Sequence, residues 1–382
     1  MTARSGSRLD ARWASVLLPS IALWAACTSL THADEYAAAP QPSDNPLCTL
    51  CASRPDLRHP PCGPTAPEPA GDVIVVFAMR ALDLGIRASG WQSGYLVGFD
   101  QDCSDRPDGV PTSCTPRSTA GWVELGNGVD NSLATRVIYP LIQDTGTDVQ
   151  GEINKSLEAG AGSLLLIVDS WNGLPDDHQV GVRLVAATRV VNSDGRTTPS
   201  WEGDDDWEVF ADRWDPQFPG RNVPDATAKS KDGYVSGGVL VWDARSIQPF
   251  RALLAVGAAN IELDLSNVVL YGQIMTYQQP RQLINSVMGG VWSSFLASRN
   301  AGAIAQVATR CDLCAAKQYT PEVEQLIQDA PDMLLPTSKP PGACDAISVG
   351  FLGSYVEARK VARIVPLADV PLSCPNAAPC TR

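Results

Sequence analysis

Two oxygen-rich segments are the parts of this sequence best suited to binding a metal ion. In the first, aspartates recur over positions 100–108, and an Asp-Asn pair follows at 130–131. Calcium takes six to eight oxygen ligands on a bent loop, which such a segment can supply. The sequence therefore predicts a calcium site whose ligands are Asp100, Asp102, Asp105, Asp130 and Asn131. The spacing is not that of an EF-hand, and a solvated loop is the alternative.

The second segment spans positions 201–208 and contains three consecutive acids, Asp204, Asp205 and Asp206. Adjacent like charges repel, so these side chains must be either solvated or neutralised by a cation. They form a second candidate metal site, and calcium is the only cofactor that the sequence implies. The flanking Trp201 and Trp207 are suited either to stacking on a sugar ring or to anchoring the loop in a core.

Carboxylate catalysis is the alternative to a binding role. Glu262 and Asp264 alternate on a predicted strand, which places both acids on one face. This resembles the start of the Glu-x-Asp-x-x-Glu pattern of some β-sandwich glycosidases, but Asn267 or Val268 stands where the last acid would be. Histidine-based catalysis is disfavoured, because there are only three histidines and no matching nucleophile or metal motif. No catalytic residue is predicted.

Cysteine usage indicates an oxidising compartment. Ten of the 11 cysteines follow a predicted signal segment, and export favours disulfides over a zinc site or a redox motif. The predicted disulfide cysteines are Cys48, Cys51, Cys62, Cys103, Cys114, Cys311, Cys314, Cys344, Cys374 and Cys380. The connectivity stays open, but proximity in sequence favours Cys103–Cys114, Cys374–Cys380 and a bridge from Cys311 or Cys314 to Cys344.

The N-terminus reads as a signal peptide over residues 1–33. Three arginines precede an apolar stretch that ends at Cys27, and a small-residue cleavage site follows at Ala33. Lipidation at Cys27 is the alternative, and it would anchor the protein to a membrane. We expect an exported protein that is extracellular, periplasmic or anchored in the outer membrane.

The net charge of the chain disfavours some classes of binding partner. A net charge of −13 should repel nucleic acid and anionic membranes. Membrane contact is therefore expected only through an anchor at Cys27, and the partner itself stays unknown.

Strand patterns dominate the chain after a Pro/Cys-rich tether at residues 34–71. Residues 72–365 are predicted to form one β-rich domain, followed by a Pro/Cys-rich tail at 366–382. Runs of strands with turns between them favour a mainly β (α+β) fold, either an antiparallel β-sandwich or a half-open barrel. A change in apolar phase after Leu265 predicts a bulge at Ser266–Asn267.

Helices are expected mainly in a segregated cluster in the C-terminal third, at about residues 281–335. Its clearest member is an apolar stripe at helical spacing over residues 284–296. A second helix is predicted near 303–309, and a third with Pro321 in its first turn. An earlier helix is predicted over 147–157, where Val149, Ile153 and Leu157 recur every four residues.

Four motifs in fixed order resemble those of uncharacterised exported proteins and lipoproteins of myxobacteria-like bacteria. They are Arg80-Ala-Leu-Asp-Leu-Gly85, Gly128-Val-Asp-Asn131, Trp201-Glu-Gly-Asp-Asp-Asp-Trp207 and Cys344-Asp-Ala-Ile-Ser348. The resemblance implies export and supplies no activity.

Taken together, the residues favour an exported, disulfide-stabilised, non-enzymatic surface or envelope binding protein that is ordered by calcium. One alternative is a carboxylate-dependent polysaccharide hydrolase. The other is a lipid-binding or structural envelope protein, which is suggested by the apolar stripe at 284–296.

Overall fold

The computed structural model describes residues 60–64, 71–86, 97–99, 101, 114–117, 129–210, 229–245, 249–256, 259–310, 312–338 and 342–365. The chain divides into two compact units, Met1–Ser43 and Asp44–Arg382, and every described residue lies in the second. The predicted signal segment, most of the predicted tether and the predicted tail lie outside the described residues.

Strand residues make up 45% against 24% for helix, which confirms the prediction of a mainly β protein. The strands are β1 (Val73–Asp83), β2 (Leu164–Trp171), β3 (Asp177–Val190), β4 (Asp206–Phe210), β5 (Lys229–Ser236), β6 (Val239–Ala244), β7 (Phe250–Val256), β8 (Ala259–Met275), β9 (Gln282–Ser293), β10 (Ala346–Ala358) and β11 (Lys360–Val365).

Eight of these strands form a closed antiparallel barrel. Around the ring they follow in chain order as β1, β2, β3, β5, β6, β8, β9 and β10, and β10 pairs with β1. The ladder between β3 and β5 completes the ring, so the barrel is closed rather than half-open. Each barrel strand is antiparallel to both of its neighbours, which is the up-and-down arrangement.

Side chains fill the inside of the barrel and also cover much of its outside. On β1, Phe77 and Met79 point inward into the main core, while Val76 and Ala78 belong to a separate outer cluster. The outer cluster packs beneath a small second sheet, in which β4 pairs with the end of β3 and β11 pairs in parallel with β4. Because both faces of β1 are buried, its sequence is almost continuously apolar.

Residues 282–293 form strand β9, so the prediction of a long helix over 284–296 is wrong. Met288 and Trp292 face the barrel core, whereas Val291 packs outside it. A strand buried on both faces is apolar at nearly every position, and such a run also fits a helical period. Gly289 lies under the Phe99 ring, where an added Cβ would be 2.4 Å from Cδ2, so this glycine permits close packing that a larger residue would block.

The helices occur in two groups. A π-helical segment (Leu133–Ile138), α1 (Tyr139–Thr145) and α2 (Val149–Glu158) connect β1 to β2, while α3 (Ser294–Ser298), α4 (Ala301–Ala308) and α5 (Leu313–Asp329) connect β9 to β10. The four strand ends involved meet at one end of the barrel, so both groups lie at that end. No helix in the described ranges is long and apolar enough to span a bilayer.

Two local predictions are confirmed and one is wrong. Helix α2 buries Val149, Ile153 and Leu157 as expected. The bulge in β8 is present, because the pairing with β9 shifts between Ser266 and Val269 and Asn267 has a φ of 53°. Pro321, however, lies inside α5, which begins at Leu313 because the Asp312 carboxylate accepts hydrogen bonds from the first-turn N–H groups of Cys314 and Ala315.

Amide side chains complete the hydrogen bonding where barrel strands lose a neighbour. Asn154 Oδ1 and Gln150 Oε1, one turn apart on α2, accept from the backbone N–H groups of Leu82 and Leu84 near the end of β1. Asn300 uses both its amide oxygen and its amide nitrogen on the backbone of Glu262. Each such contact satisfies a backbone group that would otherwise be buried without a partner.

Candidate functional site

The first predicted calcium segment is only partly described. Asp100, Asp102 and Asp105 lie outside the described residues. Asp130 forms a bridge to Phe99, and its Oδ2 accepts a hydrogen bond from the Gln101 N–H at 2.7 Å. In the parts of the chain that are described, no group of three His, Cys, Asp or Glu side chains is placed to hold a metal ion. Calcium binding by this segment therefore stays a prediction.

Asn131, the fifth predicted ligand, is 1% exposed and lies against β10. Its Nδ2 donates to the carbonyls of Val97 and Gly350 at 2.9 Å, and its Oδ1 accepts from the Gly350 N–H at 3.1 Å. Gly350 lies beyond the part of β10 that pairs with β1, so the amide of Asn131 takes the place of a neighbouring strand. The side chain thus has a clear structural role.

A buried polar network continues from this point. Asp332 accepts hydrogen bonds from both the N–H and the hydroxyl of Ser348, and the Ser348 Oγ accepts from the Ser132 N–H. Ser132 in turn donates to the Ala330 carbonyl. Two of the four motifs noted in the sequence, those ending at Asn131 and at Ser348, therefore meet in one network that joins the helical connection to β10.

The second acidic segment is neutralised by protein groups. Asp205, 2% exposed, accepts from the N–H groups of Ser200 and Trp201 and from the side chain of Asn192. Two hydrogen bonds at 2.7 and 2.6 Å pair Asp206 with Arg359.

Asp204 accepts from Arg196 at 2.7 Å and from the Ser200 hydroxyl at 2.5 Å. The hydrogen bond from Ser200 is the largest influence on the pKa of Asp204 and lowers it; desolvation opposes this effect, and the hydrogen bond and charge of Arg196 add to the lowering. The flanking tryptophans are core anchors, since Trp201 and Trp207 are buried with their ring centroids 5.7 Å apart. Sugar stacking on this pair is therefore not supported.

Glu208 extends the same charge network along β4. It is buried, and it accepts from Thr188 Oγ1 at 2.7 Å and from Arg363, with Arg189 Nε 3.3 Å away. Burial opposes its ionisation, but the hydrogen bonds from Thr188 and Arg363 and the two arginine charges outweigh burial. They hold the pKa of Glu208 below its usual value of 4.5.

Ionised Glu208 should therefore stabilise the protein at neutral pH. A carboxylate with a lowered native pKa contributes stability above its unfolded pKa, and that contribution is lost as the pH falls through the native pKa. We expect the free energy of unfolding, measured by urea denaturation, to decrease as the pH falls below 4.5. Glu208→Gln should remove part of this dependence, whereas Glu202→Gln, at an exposed position, should leave it intact. A wild-type pH profile in Glu208→Gln would contradict the assignment.

The acids of the hydrolase hypothesis lie on β8, in the part that pairs with β7. Asp264 is buried and Glu262 is partly buried. In the ladder, Glu262 and Asp264 stand opposite residues 253 and 251 of β7. The hydrolase alternative stays a prediction.

The structure pairs Cys114 with Cys344, with an S–S distance of 2.02 Å and 230 residues between them in sequence. The predicted Cys103–Cys114 bridge and the predicted bridge from Cys311 or Cys314 to Cys344 are therefore wrong, because chain proximity does not decide which segments the fold brings together. Cys62 and Cys314 are also disulfide-bonded. The remaining predicted disulfide cysteines lie outside the described residues.

A surface cleft of about 310 Å³ lies beside the Cys114–Cys344 bridge. Its wall includes Arg117, Ser294, Phe295, Ser298, Gln328 and Pro331. The volume is at the small end of the range for ligand sites. We call this site the Arg117–Phe295 cleft.

Three separate segments hold the cleft in shape. Residues 114–117 lie in parallel with residues 342–344, through hydrogen bonds from the Thr115 N–H to Gly342 and from the Cys344 N–H to Thr115. Arg117 Nη1 donates to Gln328 Oε1 on α5 at 3.1 Å. Phe295 comes from the first turn of α3 and is 73% exposed. No pattern in the sequence indicates this site, because Phe295 is there one member of an apolar stripe.

Comparison with known proteins adds nothing to this description, since no family model, no curated protein and no solved structure matches the chain.

Proposed function

We propose that this protein is an exported, disulfide-stabilised binding protein without catalytic activity, and that it binds its ligand in the Arg117–Phe295 cleft. The observation that carries the proposal is that the exposed Phe295 and Arg117 line one cleft, which the Cys114–Cys344 disulfide braces. The cellular location is proposed on the signal segment, with lipid anchoring at Cys27 as the alternative.

The exposed aromatic ring supports a binding role. Most large apolar side chains of the described residues are buried in the barrel or its outer clusters, whereas 73% of Phe295 is exposed. Aromatic residues, phenylalanine included, and arginine are enriched at binding interfaces relative to the rest of a protein surface. A cross-linked wall also lowers the entropy lost when a ligand is fixed, because the site is formed in advance.

The chemistry of the lining supports binding rather than turnover. The described wall contains no carboxylate, imidazole or free thiol, and its cysteine, Cys344, is in a disulfide. General acid–base and nucleophilic mechanisms both need such groups within hydrogen-bonding distance of the substrate. The lipid-binding alternative was suggested by a helix over 284–296, and most of that stripe is strand β9, which ends at Ser293.

A ligand screen with a matched pair of variants tests the proposal. The oxidised protein is screened against soluble oligosaccharides, peptides and lipid vesicles, with each sample also checked for reaction products. We expect binding without turnover, weakened at least tenfold by Phe295→Ala. Tyr277→Ala is the control, because Tyr277 is equally exposed, at 76%, but lies outside the cleft. Turnover of any probe, or binding that Phe295→Ala leaves unchanged, would overturn the proposal.

A further inference from the structure

The side chains of the Arg117–Phe295 cleft suit one chemical class of ligand. We propose that the cleft binds an acidic saccharide, with one pyranose ring stacked on Phe295 and a single sugar carboxylate paired with Arg117. This inference rests on the proposed binding function and goes beyond it by naming the ligand.

Phe295 provides the stacking surface. The C–H face of a pyranose is flat and weakly apolar, and an aromatic ring of matching size binds it without a deep apolar pocket. The ring is 73% exposed and is presented by α3, whose Ser298 hydroxyl bonds back to Ser294 within the helix. Phe295 is therefore displayed from an ordered element and need not rearrange to meet a ligand.

Arg117 provides the charge. Its guanidinium has five N–H donors, and in the described part of the chain it contacts only Gln328 Oε1. The remaining donors form a planar fork that matches a carboxylate. The Gln328 contact holds the exposed Arg117 side chain at the wall of the cleft that Phe295 also lines.

The rest of the lining favours a sugar over a peptide or a lipid chain. Ser294, Ser298 and Gln328 are polar, and each offers hydrogen-bonding atoms to ring hydroxyls. Among the described residues, the wall has no second large apolar side chain that would receive a peptide side chain or an acyl tail. A cleft of about 310 Å³ is also too small to enclose a lipid.

The net charge of the protein limits the ligand to one acid group near Arg117. A chain with a net charge of −13 repels a long polyanion. A single carboxylate in contact with the guanidinium still gains a charge-assisted hydrogen bond, because the two charges lie well inside the screening length of about 8–10 Å, and added salt weakens this attraction only in part. A neutral glycan carrying an isolated uronic acid therefore fits better than a uniformly acidic polymer.

Calorimetric titration with three matched oligosaccharides tests the inference. The probes are xylotriose with one glucuronate branch, the methyl ester of the same compound, and unsubstituted xylotriose, each titrated into the oxidised protein. We expect the free acid to bind at least tenfold more tightly than the ester, and added salt to weaken only the acid. The ester keeps every ring and removes only the charge, so it isolates the role of Arg117.

Variants then locate the contact. Arg117→Gln should reduce the affinity for the acid to that for the ester, and Arg117→Lys should give an intermediate value. Phe295→Ala should weaken all three probes. Arg310→Gln changes an exposed arginine outside the cleft and should have no effect. Thermal midpoints equal to that of the wild type will show that each variant is folded.

The outcomes separate the two proposals. Equal binding of acid and ester, lost in Phe295→Ala, would overturn the acidic ligand and leave the binding function standing. Binding of the acid that neither Phe295→Ala nor Arg117→Gln changes would place the site elsewhere and overturn the inference. Failure of all three saccharides, with a peptide or a vesicle bound in the cleft, would also overturn it. Failure of every class of probe would remove the proposed function itself.

Discussion

Replacing Asn131 with alanine is expected to lower the free energy of unfolding by about 3–5 kcal/mol. The substitution removes the hydrogen bonds to both backbone groups of Gly350 and to the Val97 carbonyl. These groups are buried, and each polar group left without a partner costs about 1–3 kcal/mol. Urea denaturation of the wild type and the variant measures the difference.

The same variant tests the calcium hypothesis. If Asn131 acts through Gly350, its loss destabilises the protein equally in calcium and in chelator. If Asn131 were chiefly a calcium ligand, the loss would appear only with calcium present, because a bound ligand stabilises only the state that binds it. Asn172→Ala is the control, since Asn172 makes a comparable set of backbone hydrogen bonds in an exposed turn. A change below about 1 kcal/mol in Asn131→Ala would contradict the structural role.

Removing the Cys114–Cys344 disulfide by double substitution to alanine should cost about 3–5 kcal/mol. The bridge closes a sequence separation of 230 residues and so restricts the unfolded chain strongly. It also ties residues 114–117 to the start of β10, so saccharide binding at Arg117 should weaken in the same variant. Denaturation under oxidising conditions measures the first effect, and titration measures the second.

A neighbouring substitution serves as the control for the disulfide. Thr115→Ala alters an exposed side chain between the bridge and Arg117 and keeps the backbone hydrogen bonds to residues 342–344. It should change the free energy of unfolding by less than about 0.5 kcal/mol. If the double cysteine variant were as stable as Thr115→Ala, the bridge would not constrain this part of the fold.

Local patterns predicted structure well where they depended on short-range chemistry. The bulge in β8 followed from a change of apolar phase, and helix α2 followed from apolar residues that recur every four positions. β9 did not, because burial on both faces removes the alternation that separates a strand from a helix. Closure of the barrel could not be predicted either. The pairing of β3 with β5 depends on the arrangement of all the strands and not on the sequence of either one.

The candidate sites show the same limit for polar residues. Asn131 and the three acids at 204–206 are predicted from the sequence as calcium ligands, but the sequence does not show which protein groups contact them. In the fold, Arg359 and Arg196 reach two of these acids from other parts of the chain. The Arg117–Phe295 cleft was missed for the same reason, because three distant segments build it and none carries a motif.

The order of strands around the barrel has a consequence for how the protein can be made. β1 and β10 are the first and last barrel strands in the chain, yet they are neighbours in the ring, with Val76 paired to Ala358. During synthesis, the ring cannot close until nearly the whole described chain has emerged, and pairing between such distant segments is intrinsically slow. Until β10 has been made, one edge of β1 therefore lacks the strand that it pairs with in the closed ring.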